Sequence, residues 1–165
     1  ILSNAKKFGV PAEYILAIIR QESAFDPFAR SPADAMGLMQ LLPSVANRYE
    51  KETGVSMDHF EDLYKPEFNI PFGTVLLRDL LKKYDRRLFL AAAAYNASER
   101  ALANWLKSRW NNDVVEFVEE IPYEETRAYV KLIVRNCVFY TRLLNSGKTT
   151  PFPKTCLETA QVATN

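Results

Sequence analysis

Apolar side chains recur at three- and four-residue spacing along most of this chain, the period of an amphipathic helix, and no stretch shows the strict alternation of a strand. Pro11 suits a helix start, where its missing N–H costs nothing, and Ile15, Leu16, Ile18 and Ile19 follow as an apolar face. Pro27 predicts the end of that helix, because the residue before a proline avoids the α region. Glu22 then falls in or near the last turn. Positions 27–43 read as a turn-rich connection carrying Pro27, Pro32, Gly37 and Pro43. Ser44 is a suitable N-cap for a short helix that stops near Gly54. Positions 55–67 are irregular, with at most one short helical turn. The pattern then predicts a helix over 69–84 with Leu76, Leu77, Leu80 and Leu81 inward, and a compact, Ala-rich, buried one over 88–97. Another follows over 99–108, carrying Leu102, Trp105 and Leu106. Asp113 opens a short helix that ends before Pro122. The longest runs over 124–145, with Tyr129, Ile133, Val134, Cys137, Tyr140 and Leu144 on its core stripe and Gly147 as its stop.

The fold class that follows is all-α, with several short helices packed around the Ala-rich one, whose small side chains permit close approach. Nothing repeats internally. The chain has 165 residues, 48% hydrophobic and 25% charged, enough for one domain with a real core. The domain is expected over 1–146, with a polar C-terminal tail over 147–165. A formal net charge of +1 gives no electrostatic case for nucleic acid or an anionic membrane. No apolar run approaches the roughly 20 residues of a membrane span. The chain opens on Ile1 with a polar stretch and shows no signal peptide, which fits a processed protein or a segment of a longer one. Cys137 and Cys156 are the two cysteines. They can pair in an oxidising compartment or remain apart.

Most chemistries find no support in these residues. His59 is the lone histidine, in a polar stretch where a surface position is expected. No zinc spacing, calcium loop, nucleophile elbow or phosphate-cradling glycine loop occurs. No metal or cofactor is expected. Carboxylate chemistry remains, with Glu22 best placed. Beside Ile18, Ile19 and Phe25, a desolvated Glu22 would have a raised pKa and could donate a proton near neutral pH. The plainer alternative is a helix-end Glu that faces water.

The stretches "QESAF", "SPADAMGLMQLLP", "AAAAYNAS" and "VEEIPYEETRAYV" occur in that order. Together they resemble the catalytic domain of the soluble lytic transglycosylases, bacterial enzymes of lysozyme-like, goose-type fold that cleave peptidoglycan. The similarity runs from about Pro11 to Tyr140. It implies that Glu22 is the single catalytic acid and base. It implies substrate-binding roles for Ser31, whose hydroxyl would orient the carboxylate, and for Gly37, Leu38, Met39 and Gln40, which would line the sugar groove. Tyr95 would send its hydroxyl to the site, and Glu119 would bind substrate as a groove carboxylate. Asn96 is a further candidate there. From residue type alone, Ser31 also suits a turn before Pro32, Met39 core filling, Asn96 a structural role and Glu119 a solvated helix position. Two departures stand out. Ser98, Glu99 and Arg100 follow Tyr-Asn-Ala, where relatives often carry glycine and proline. Leu42 replaces a methionine of some relatives at similar volume.

Two-carboxylate glycosidases need a second Asp or Glu. Asp26 would lie one turn from Glu22 if the helix continued, which Pro27 argues against; Asp34 lies in the connection, and Leu41, Leu42 and Pro43 supply no carboxylate where related goose-type lysozymes have acidic residues. The resemblance therefore implies a non-hydrolytic cleavage of the MurNAc–GlcNAc β-1,4 bond that leaves 1,6-anhydro-MurNAc ends. A hydrolytic muramidase and an inactive peptidoglycan-binding scaffold are the alternatives. It further implies a periplasmic location, glycan strands as the partner, and an additional N-terminal domain in the full-length protein.

Overall fold

The computed structural model describes residues 1–147. Among them the regular backbone is all helical, and isolated antiparallel bridges join Arg30 to Met36 and Met36 to Leu41. Positions 148–165, and with them Cys156 and nearly all of the expected tail, lie outside the described residues. The described residues form two compact units, Ile1–Asp79 and a second that begins at Leu80.

The first unit opens with α1 (Leu2–Phe8), closed by Gly9 at φ 68°. This helix was not expected, because it is short and buries no residue, so no apolar stripe marks it. α2 (Ala12–Ser23) buries Tyr14, Ile15, Ala17, Ile18 and Ile19, as its spacing predicts. It stops ahead of Pro27. Ala24 and Phe25 both turn left-handed, at φ 52° and 70°, and break the helix at Ser23.

Beyond the connection, α3 (Pro43–Ala46), a 3₁₀ turn (Asn47–Tyr49) and α4 (Glu50–Thr53) replace the single short helix predicted to start at Ser44. Leu42 is the N-cap and Pro43 the first helical residue, where a proline loses nothing. Gly54 ends the run at φ 73°, as expected. A second 3₁₀ turn (Phe60–Tyr64) leads into α5 (Pro66–Lys83), which starts three residues before the predicted 69 because Pro66 can occupy a first turn. The buried Asp62 carboxylate organises this entry. One oxygen accepts the backbone N–H groups of Asp58 and His59, each at 3.1 Å, and the other meets Lys65 Nζ at 2.8 Å. The Lys65 hydrogen bond, with help from the His59 N–H, holds the Asp62 pKa below the ordinary carboxylate value.

The second unit is built on α6 (Leu88–Ala97), whose residues Leu88 to Ala94 are all buried. It packs on α7 (Glu99–Arg109) and α9 (Glu124–Leu144), with α8 (Val114–Glu119) against α9. The Ala-rich helix is thus the centre of this unit. Trp110, just past α7, stacks on Phe89 at 6.4 Å and meets Phe117 of α8 edge-on at 5.4 Å. On α9, Tyr129, Ile133 and Cys137 are buried as predicted, and Leu144 is exposed because the stripe runs out in the last turn. Among the described residues no helix is long and apolar enough to cross a membrane.

Ser98 joins α6 to α7 at φ 117° and ψ 155°, a conformation natural to glycine. A serine holds this turn, and its hydroxyl caps Ala101 N–H at 3.3 Å. Ser98→Gly gives up that cap, worth a few tenths of a kcal/mol against glycine, and relieves strain of about 1–3 kcal/mol. The expected result in a thermal melt is a Tm higher by roughly 2–4 °C. A second expectation concerns pH. Because the folded Asp62 carboxylate has a depressed pKa, its stabilisation is fully present above the unfolded value and is lost as pH falls through the folded one. Urea melts of Asp62→Asn should show a deficit against the parent at pH 7 that closes in acid.

Candidate active site

Glu22 occupies the last turn of α2, half-buried, with Ile18 and Ile19 wholly inside the core beneath it. Phe25 was expected to help desolvate it but is 39% exposed, because its left-handed backbone belongs to the turn rather than to the helix. Ser23, next to Glu22, donates from Oγ to Leu38 O at 2.9 Å and to Ile19 O at 3.2 Å. The helix end that carries the carboxylate is thereby tied to the Gly37–Gln40 turn.

That turn is narrow. Met36 and Leu41 exchange backbone hydrogen bonds of 2.9 and 3.0 Å, and Gln40 N–H returns to Gly37 O at 3.1 Å. Gly37 sits at φ 75°, and a Cβ there would lie 2.2 Å from Leu63 O and 2.4 Å from Asn69 Nδ2, so only glycine fits. Gln40 spends both amide hydrogens on backbone, to Gly37 O at 2.9 Å and Ala29 O at 3.0 Å. Its carbonyl oxygen alone is left for a ligand, because the loop takes up its donors. Met39 has no exposed surface; its sulfur lies where a Cβ on Gly73 of α5 would be, 2.3 Å from it. It shapes the turn from below instead of touching a ligand. Leu38 is buried and serves chiefly through its carbonyl.

The anchor of the turn is Asn69, in the first turn of α5 and 0% exposed. Its Oδ1 accepts Met39 N–H at 2.8 Å, and its Nδ2 donates to Met36 O and Leu63 O, both at 2.8 Å. Sequence reasoning missed Asn69, Ser23 and Gly73. The available signal was a polar Asn inside the apolar run "FNIPF".

Ser31 Oγ accepts the N–H groups of Ala33 at 3.2 Å and Ala35 at 3.1 Å, the turn role that residue type allowed. With both lone pairs used, the hydroxyl hydrogen is what it has left to offer. The neighbouring carboxylates are committed elsewhere. Asp26 Oδ1 accepts Phe28 N–H at 2.9 Å, and Asp34 Oδ1 takes Arg30 Nε at 3.0 Å and Arg30 Nη2 at 2.8 Å.

The second unit holds the remaining candidates. Tyr95 stands half-buried in the last turn of α6. Beside it, Asn96 Oδ1 accepts Thr126 Oγ1 at 2.6 Å and its Nδ2 donates to Glu125 at 3.3 Å, so Asn96 fastens α6 to α9. Glu119 ends α8, exposed, with both oxygens on Lys131 Nζ at 2.6 and 2.7 Å. The pair borders an apolar hollow of about 280 Å³ lined by Phe89, Val114, Val118 and Val130. Lys131 had no local signal, because its partner lies on another helix.

Residues 1–117 match the family model described as the transglycosylase SLT domain. The chain is 41% identical over 142 residues to a Haemophilus influenzae protein provisionally named a soluble lytic murein transglycosylase, covering 85% of this chain and 24% of that protein. It is 36% identical over 142 residues to the soluble lytic murein transglycosylase of Escherichia coli K12, 85% of this chain and 22% of the relative. Among solved structures, an inactive glutamate-to-glutamine mutant of a Pseudomonas aeruginosa lytic transglycosylase superposes with a TM-score of 0.83 at 34% identity, over 90% of this chain and 24% of that one. The 70 kDa soluble lytic transglycosylase of Escherichia coli does so at the same score and identity, over 94% and 26%. The chain thus spans about a quarter of the length of the relatives it matches. The all-α, lysozyme-like fold expected from the sequence is the fold of these structures.

Asn69→Ala would strand the buried Met39 N–H and Leu63 O at about 1–3 kcal/mol each, and would strip Met36 O of one of its two hydrogen bonds. The expected loss is about 3 kcal/mol or more, read as a lower urea midpoint at unchanged slope. Asn69→Asp should be no rescue, because it sets a carboxylate against two carbonyl oxygens.

Proposed function

This chain belongs to the transglycosylase SLT-domain family, and on that premise we propose that it cleaves the MurNAc–GlcNAc β-1,4 bond of peptidoglycan without water. The products are strands that end in 1,6-anhydro-MurNAc. Glu22 protonates the glycosidic oxygen as the bond breaks. The substrate's own N-acetyl group stabilises the charge that develops at the sugar carbon. Glu22, now ionised, takes the proton of the C6 hydroxyl as that oxygen closes on the anomeric carbon. One carboxylate acts twice, and no water enters the balance.

The observation that carries this reading is the commitment of both neighbouring carboxylates. Asp34 is tied to Arg30 and Asp26 caps a backbone turn, so each already has a structural task. A half-buried Glu22 on a core-anchored helix end suits a proton donor, and the Ser31 hydroxyl hydrogen suits its orienting partner. Tyr95 and Glu119 act as substrate contacts, and Lys131 holds the Glu119 carboxylate through both of its oxygens. The relatives' length supports further domains in the whole protein, and the substrate points to the periplasm.

Mass spectrometry of digested peptidoglycan should show muropeptides with anhydro ends. Products heavier by one water would make this a hydrolytic muramidase instead. Glu22→Gln keeps the shape and removes the acid. Turnover should fall by roughly 10²–10⁴-fold or more, while binding of glycan strands persists. Unchanged turnover would remove Glu22 from its assigned role.

A further inference from the structure

Phe28 is 75% exposed, although it sits in a well-made turn. Its backbone N–H is capped by Asp26, and its ring lies against Tyr64, with centroids 6.2 Å apart and planes inclined at 38°. No folding term accounts for so open a phenylalanine, since it buries little apolar surface. Single exposed apolar residues are ordinary. This one is paired, and its position is informative.

Phe28 precedes Ala29, whose carbonyl accepts Gly37 N–H at 2.9 Å and the Gln40 side chain at 3.0 Å. Tyr64 follows Leu63, whose carbonyl accepts Asn69. Each ring thus belongs to the residue that directly precedes or follows one whose carbonyl helps to hold the Gly37–Gln40 turn or its Asn69 anchor. The exposed Arg30–Asp34 pair lies in the same connection, and Tyr64 is near enough to act on the Arg30 charge, after the larger effect of Asp34.

We propose that Phe28 and Tyr64 form an aromatic platform that stacks a sugar ring of the glycan strand, with Arg30 and Asp34 addressing its edge. This rests on the function proposed above and deepens it. The chemistry matches the ligand. A β-linked N-acetylhexosamine turns a face of axial C–H groups outward, which packs on the negative face of an aromatic ring. Its hydroxyl and amide groups project around the rim, where an Arg–Asp pair offers both donors and acceptors. The platform is preorganised, because the Asp26 cap fixes the turn before a ligand arrives.

The test is calorimetric titration of the tetramer of β-1,4-linked N-acetylglucosamine into Glu22→Gln protein, which binds without turnover. Adding Phe28→Ala should weaken binding roughly three- to tenfold, the scale of one aromatic contact. Phe28→Tyr should restore it, whereas Phe28→Leu, apolar but without a π face, should not. The ring protons of Phe28 should shift on titration. Equal affinity in Phe28→Ala and its parent, or full rescue by Phe28→Leu, would overturn the platform. So would a concentration-dependent dimer abolished by Phe28→Ala, which would assign the patch to a second copy of the chain. A parent enzyme that releases no anhydro ends would instead defeat the proposed reaction, independently of how Phe28 affects tetramer binding.

Discussion

A single buried amide governs the first unit. Asn69 presents an acceptor and two donor hydrogens to three backbone groups of the Gly37–Gln40 turn and its neighbour, of which Met36 O alone also accepts a backbone N–H, that of Leu41. Inside a protein such groups must be paired or the loop that carries them must open to water. The turn approaches the Asn69 amide so closely that position 37 admits no Cβ, and α5 admits none at position 73 because Met39 fills the space. Glycine, methionine and asparagine here are one device: two missing side chains create room, a flexible one fills part of it, and an amide closes the hydrogen bonds. Glu22 depends on it through Ser23, which ties the end of α2 to Leu38.

The same economy runs through the polar residues of the proposed site. Polar side chains around Glu22 are mostly spent on the scaffold. Gln40 uses its donors, Ser31 its lone pairs, Asp26 an oxygen on a cap, and Asp34 an oxygen on a guanidinium. Each is left with the complementary half of its capacity. A residue can thus be structural and still define what a ligand meets, and Gln40 and Ser31 fit both descriptions. Met39 and Asn96 lie at the structural end, the first without exposed surface and the second held by α9.

Much of the fold was legible from the chain alone, and for a consistent reason. The helices with an apolar stripe, α2, α5, α7 and α9, follow from periodicity, α6 follows from a continuous apolar, Ala-rich run, and Gly54 and Asp113 mark ends that a side chain or a missing Cβ dictates locally. What was misplaced lacked such a stripe or cap. α1 buries nothing, and the α3–α4 segment is too short to carry a period; the stop of α2 fell where Pro27 predicts, but the left-handed pair that makes it, Ala24 and Phe25, is of types that do not favour that conformation.

The sequence by itself determined the helical class, the order of its elements and the motif that singles out Glu22, because those depend on residue type and spacing. Tertiary structure alone decided which polar groups are spent and which remain. It brought Asn69 to Met39, Ser23 to Leu38, Lys131 to Glu119 and Phe28 to Tyr64, all pairings between distant positions. Hydrogen-bond capacity is a property of a residue; its remainder is a property of the neighbours that folding supplies.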